Sequence, residues 1–226
     1  MRWSDTTIHL IDFEGNLTSG ILEYGVVTLR DGRISGTDTR LCGAIGRLRS
    51  SDTALHGIAE ADVRRCAPFA EDFEKFALLR ESGPLGAHYA HAENSLIKSV
   101  WPYPRLSRDF SRPQSAAQGA TTLDWGPWID TGRLYAQFFP ALNSGRLEEL
   151  VSVFQLEAEL VDLAVKHCPA NRRNYHAALF DALAAALLLL NLGRRPEFAE
   201  MTLPWLLQMS TVNPQKRASL QQDELF

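Results

Sequence analysis

An apolar run that ends in two acids, Ile8–His9–Leu10–Ile11–Asp12–Phe13–Glu14, constrains this chain more than any other stretch. Ile8, Leu10 and Ile11 predict a buried strand. Residues two apart in a strand point to the same face, so Asp12 and Glu14 stand side by side at the strand's end. Two bare carboxylates at that spacing repel each other and favour a divalent cation between them. The plain alternative is a strand that runs into a polar turn with two solvated acids.

The next residues extend this strand into a sheet. Residues 21–29 are rich in β-formers, Asp31–Gly32 is a two-residue hairpin signal, and residues 33–40 return antiparallel. Glu23, inside the second strand, reads as an edge decoration rather than a partner of the acid pair. Pro68 with Phe69, Phe73, Phe76 and Leu79 then gives helical spacing with proline near the start. Residues 84–90 predict a short strand of small residues, followed by His91–Ala92–Glu93–Asn94 and a helix towards Trp101. Residues 103–127 read as a long structureless insertion. Its Arg105, Arg108 and Arg112, interleaved with Tyr103 and Phe110, either grip a phosphate backbone and stack a base or are merely solvated. Trp128–Ile129–Asp130–Thr131 is a strand end with a helix N-cap. Helices follow over residues 132–139, 146–154 and 156–165, and one more is expected over 198–209.

Residues 182–190 form the longest apolar run, too short to span a bilayer and read as a fully buried helix. Asp181 stands at its edge, and a buried carboxylate needs a partner. Nearby in sequence only His176 offers one, which implies a metal or a distant cation. Positions 176 and 181 are off-face on an ideal helix, so His176 is expected just before the helix and Asp181 in its first turns.

Charge narrows the function classes. A net charge of -4 leaves no broad basic surface for coating a duplex without regard to sequence. An enzyme that grips one end of a nucleic acid through metal ions remains compatible with it. The three cysteines, Cys42, Cys66 and Cys168, form no CxxC pair, which argues against a disulfide framework or a zinc site and fits a cytoplasmic location.

These segments, in this order, resemble the DEDD superfamily of 3′→5′ exonucleases, in the branch with a catalytic histidine. The first motif, D-x-E after a strand, is matched by Asp12 and Glu14. The second is matched by His88–Tyr89–Ala90–His91–Ala92–Glu93, and the third, H-x-x-x-x-D, by His176 and Asp181. His56–Gly57–Ile58 and Ile129–Asp130–Thr131 add to the likeness. Glu93 stands where the family usually has Asp, and Tyr89 where Asn is usual. The resemblance implies an α/β, ribonuclease H-like mixed β-sheet flanked by α-helices, an exonuclease domain over residues 1–195, and a C-terminal helix and tail over 196–226. It implies two Mg²⁺ or Mn²⁺ ions held by Asp12, Glu14 and Asp181, with Glu93 as outer support and His176 as the base that deprotonates the attacking water. It also implies substrate contacts from Phe13, Gly15, Asn16, His56 and His88.

The chain ends Gln222–Asp223–Glu224–Leu225–Phe226, which resembles the pentapeptide that binds the bacterial β sliding clamp. Leu225 and Phe226 would fill an apolar pocket, with Gln222 hydrogen-bonding at its rim. The function expected is hydrolysis of DNA 3′ ends, single-stranded DNA foremost, to nucleoside 5′-monophosphates, in replication or repair. The alternatives are an exoribonuclease that trims RNA and a clamp-tethered binding module with weak catalysis.

Overall fold

The computed structural model describes residues 2–112 and 119–211. Three antiparallel strands open the chain: β1 (Ile8–Asn16), β2 (Gly20–Arg30) and β3 (Arg33–Leu41). Asp31 and Gly32 close the second hairpin with φ of 51° and 66°. Two successive positive φ values are what a primed two-residue turn needs, and an Asp-Gly pair supplies them at little cost. Helices α1 (Ser50–His56), α2 (Glu60–Val63) and α3 (Phe73–Ser82) lead to β4 (Leu85–Ala87) and α4 (His91–Val100). After a hairpin of β5 (Ser107–Arg108) and β6 (Thr121–Thr122) come β7 (Ile129–Asp130) and α5 (Thr131–Phe138). Helices α6 (Leu147–Val153), α7 (Glu157–His167), α8 (Ala178–Gly193), α9 (Pro196–Ala199) and α10 (Leu203–Ser210) complete the described chain.

The main sheet runs β3-β2-β1-β4-β7, with β4 parallel to β1 and β7 parallel to β4. It is the mixed, helix-flanked α/β sheet expected from the sequence. Strand alternation divides the core. Ile8 and Leu10 of β1 and Val27 and Leu29 of β2 join the cluster built around α8. Ile11, Phe13, Tyr24 and Val26 face the other way, onto Phe69, Phe76 and Trp125. Each such side chain contributes about 1.5–3 kcal/mol by leaving water.

Helix α8 is buried on nearly every side, because alanine and leucine leave it no polar face. Gly25 lets it come close: a Cβ there would lie 2.3 Å from the main chain of Ala178 and Leu179. The helix start is thereby pressed onto β2, directly across from Asp12, whose register partner is Gly25.

Two expectations change. The insertion at 103–127 carries the β5–β6 hairpin, held by Arg80, a fully buried residue of α3. The Arg80 guanidinium donates to the carbonyls of Arg108 and Gly126 at 3.0 Å and of Trp125 at 3.1 Å. Phe110 is buried under that guanidinium and is not free to stack a base, and Arg105 pairs with Glu74 and Glu81. The helix expected over 198–209 is two helices, because Thr202 caps a new start, accepting from the Trp205 N–H, with Pro204 inside the first turn. Leu203, Leu206 and Leu207 of α10 belong to the same core as α8, so residues up to 211 pack as part of the main body. Gln222, Leu225 and Phe226 lie outside the described residues.

Candidate active site

Asp12 and Glu14 project from β1 on the α8 side of the sheet. The ladder shifts register immediately after Glu14, at Gly15, whose φ is 130° and where a Cβ would lie 2.2 Å from the Gly20 carbonyl oxygen. Such a bulge turns the strand away while leaving the two acids aimed together. Asp181 arrives from the first turn of α8, and His176 from the bend just before it. Ligand atoms of Glu14, His176 and Asp181 all lie within 4.8 Å of one another. The expectation that His176 precedes the helix and Asp181 opens it agrees with this geometry.

Glu93, in the first turn of α4, is 6% exposed and takes a hydrogen bond from the Phe13 main chain. Its neighbour Asn94 instead accepts from the Trp128 indole at 3.0 Å, so Glu93 is the side chain that this helix contributes to the acid cluster.

Burial and mutual repulsion dominate the electrostatics. Burial first, then Glu93, Asp181 and Glu14, hold the Asp12 carboxyl well above the ordinary carboxylate range. Burial, followed by the charges of Asp181 and Glu23, pushes Glu14 up to about 8, and Glu93 is raised to about 8, again chiefly by burial. Asp181 rises to about 7, mainly by burial, against the hydrogen bond it receives from His176. Glu93 Oε2 and Asp181 Oδ1 are buried without a hydrogen-bond partner. Hard, crowded, unpartnered carboxylate oxygens are the donor set that Mg²⁺ or Mn²⁺ takes, so the residues fit such ions.

The other expected contacts separate. The Phe13 ring is buried on the opposite face, 5.3 Å from that of Phe69, and only its main chain faces the acids. Asn16 closes its own turn, accepting from the Thr18 and Ser19 N–H groups and donating to Asp52 at 2.7 Å. His88 has both ring nitrogens engaged within the protein. Nε2 donates to the Gly145 carbonyl at 2.8 Å, which leaves Nδ1 to accept from the Thr131 hydroxyl at 2.9 Å. His56 differs. Its Nδ1 accepts from the Ile58 N–H at 3.0 Å, which puts the proton on Nε2, and that nitrogen is buried with no partner.

Glu23 is the residue that sequence reasoning misplaced. It is 3% exposed, on the same face as Asp12 and Glu14, accepts from the Ala178 N–H at 2.9 Å and pairs with Arg172. Strand alternation from Glu14, with the hairpin register, was the available clue, since Glu23 is the cross-strand partner of Glu14. Arg172 was missed altogether.

No protein-family model and no curated protein sequence matches the chain. Solved structures do. Exonuclease X in complex with 5′ overhanging duplex DNA superposes with a TM-score of 0.59 at 21% identity, over 88% of this chain and 99% of that one. The nuclease domain of 3′hExo, described as a DEDDh family member bound to rAMP, gives 0.56 at 17% identity, over 86% and 94%. Exonuclease I of E. coli with a dT13 oligonucleotide gives 0.59 at 14% identity, over 95% of this chain and 46% of that longer one. The chain has the ribonuclease H-like α/β fold of the DEDDh 3′-exonucleases.

Proposed function

We propose that the protein is a metal-dependent 3′→5′ exonuclease that hydrolyses phosphodiester bonds at DNA 3′ ends and releases nucleoside 5′-monophosphates. The observation that carries this is the meeting of Glu14, His176 and Asp181 within 4.8 Å, beside buried carboxylate oxygens that have no partner. Asp12, Glu14 and Asp181 would hold two Mg²⁺ or Mn²⁺ ions, with Glu93 supporting them from α4. When bound, such ions screen the phosphodiester charge and make water a better nucleophile. His176, exposed at the edge of the cluster, takes the proton from the attacking water at a ring nitrogen. His56 presents a buried Nε2–H whose lost hydrogen bond a substrate oxygen would restore.

DNA is favoured by the tail, whose Gln222, Leu225 and Phe226 fit the clamp-binding outline, and the clamp would supply the local concentration that a net-acidic surface does not. A role in replication or repair follows from the same tether. RNA is the second reading, because similar structures include a 3′-exonuclease described as recognising the 3′ end of a histone mRNA stem-loop. The test is digestion of matched 5′-labelled DNA and RNA oligonucleotides with Mg²⁺ or Mn²⁺, with a metal-free control. Stepwise shortening from the 3′ end with mononucleotide release is expected, faster on DNA. Failure to cleave either polymer would overturn the proposal, and faster cleavage of RNA would move it to the second reading.

A further inference from the structure

Arg172 lies four residues before His176 and has no place in the expected motifs. Its guanidinium is largely buried, the side chain 13% exposed against 4% for its partner Glu23. Nε donates to Glu23 Oε1 at 3.1 Å and one terminal nitrogen donates to Oε2. That same nitrogen also donates to the His176 carbonyl at 3.2 Å, and the other donates to the His56 carbonyl. Glu23 is fixed in turn by the Ala178 N–H at the start of α8. One planar cation therefore ties β2, the end of α1 and the bend before α8 into a single unit.

His176 needs such a tie. Its φ of 62° is left-handed, which a residue with a side chain adopts only when its surroundings impose it. The surroundings here are two hydrogen bonds, from its N–H to Asp181 Oδ2 and from Arg172 to its carbonyl. Together they orient the main chain on which the imidazole is carried. The His56 carbonyl is held by the same guanidinium, so both histidines of the site hang from one group.

We propose that Arg172, anchored on Glu23, is a positioning residue that sets the aim of His176 without touching the reacting atoms itself. This rests on the exonuclease reading for its kinetic consequence but not for its structural one. Lysine keeps the charge beside Glu23 but cannot present a planar fork to three acceptors at once.

The experiment compares full-length wild type with Arg172→Lys, and with Glu23→Gln as a second variant, each alone and combined with His176→Asn. Either single change should lower kcat about ten- to a hundred-fold, since displacing a catalytic group by about an ångström has that scale of effect, while KM stays within about twofold. Added to His176→Asn, the same changes should cost little more, because the group they aim is gone. An equal loss in both backgrounds, or a loss confined to KM, would overturn the proposal. A second readout needs no turnover: the ring resonances of His176, assigned by their disappearance in His176→Asn, should shift or split in Arg172→Lys. Unchanged resonances would overturn it as well. If wild type hydrolyses nothing, the exonuclease reading fails, and the resonances alone then decide the role of Arg172.

Discussion

The main-chain N–H of His176 donates to Oδ2 of Asp181 at 3.0 Å, while Oδ1 of the same carboxylate is buried with no partner. The two oxygens of one carboxylate are thus placed differently: one fixes the bend that carries the histidine, and the other has no partner within the described residues. The interval of five residues between them makes this possible, because His176 stands outside the helix that Asp181 opens.

Replacing Asp12 or Asp181 with Asn should abolish hydrolysis, with a loss on the order of 10³-fold or more, since on the proposed function each change removes a charged ligand from a shared centre. Folding should persist, because one acid fewer relieves repulsion in the cluster. Circular dichroism and 3′-end digestion check this together. A near-wild-type rate in Asp12→Asn would sink the site.

For His176→Asn, the expected loss is about 10²–10⁴-fold in rate, the usual worth of a general base. The acidic limb of the pH–rate profile should flatten. Mn²⁺ affinity should stay within a few-fold, because the carboxylates remain. An unchanged pH–rate profile would remove His176 from the role of base.

Glu93 and Asn94 give a paired prediction. Glu93→Ala should lose most activity and Glu93→Asp should keep a measurable part of it, since the acid faces the cluster from the first turn of α4. Asn94→Ala breaks the hydrogen bond to the Trp128 indole and should act on stability, by about 1 kcal/mol, rather than on chemistry. Thermal denaturation beside oligonucleotide hydrolysis separates the two. A silent Glu93→Ala with an inactive Asn94→Ala would reverse the assignment.

The parts of this fold that could be read in advance rest on short-range rules. Asp31–Gly32 names its own turn, Asp12 and Glu14 share a face by alternation, and the apolar run after Asp181 forces a buried helix. What escaped depends on distant partners. Glu23 became a partner of the site only because Arg172, 149 residues later, returns to it. The Arg80 carbonyl contacts reach 28 to 46 residues ahead, so the insertion looked unanchored. Phe13 lay between the two acids in sequence, and the alternation that pairs them sends its ring to the other face. Periodicity states which residues share a face, but it does not state what that face meets.

The raised carboxylates set a pH dependence whose sign can be worked out. Glu14 and Glu93 are held near about 8 and Asp181 near about 7, each above its ordinary value, chiefly by burial. The metal-free folded state therefore binds protons more tightly than the unfolded chain does. The stability tied to these groups is fully present below their ordinary values and is lost as pH rises through about 7 to 8. His9 and His88 act in the opposite direction. Burial holds both near about 4, so their contribution is present above the ordinary 6.5 and is lost as pH falls towards 4. The two sets oppose each other between about pH 4 and 6.5; above 6.5 only the carboxylates still change, so the Tm of metal-free protein should fall from pH 6.5 towards 8.5. Added Mg²⁺ or Mn²⁺ should raise Tm more at pH 8.5 than at pH 6, because protons compete for the same oxygens at the lower pH. Calorimetric titration at pH 7 should show protons released on metal binding, read as a heat that varies with the ionisation enthalpy of the buffer. Equal stabilisation at both pH values, with no buffer dependence, would mean that the ions bind elsewhere than at Asp12, Glu14 and Asp181.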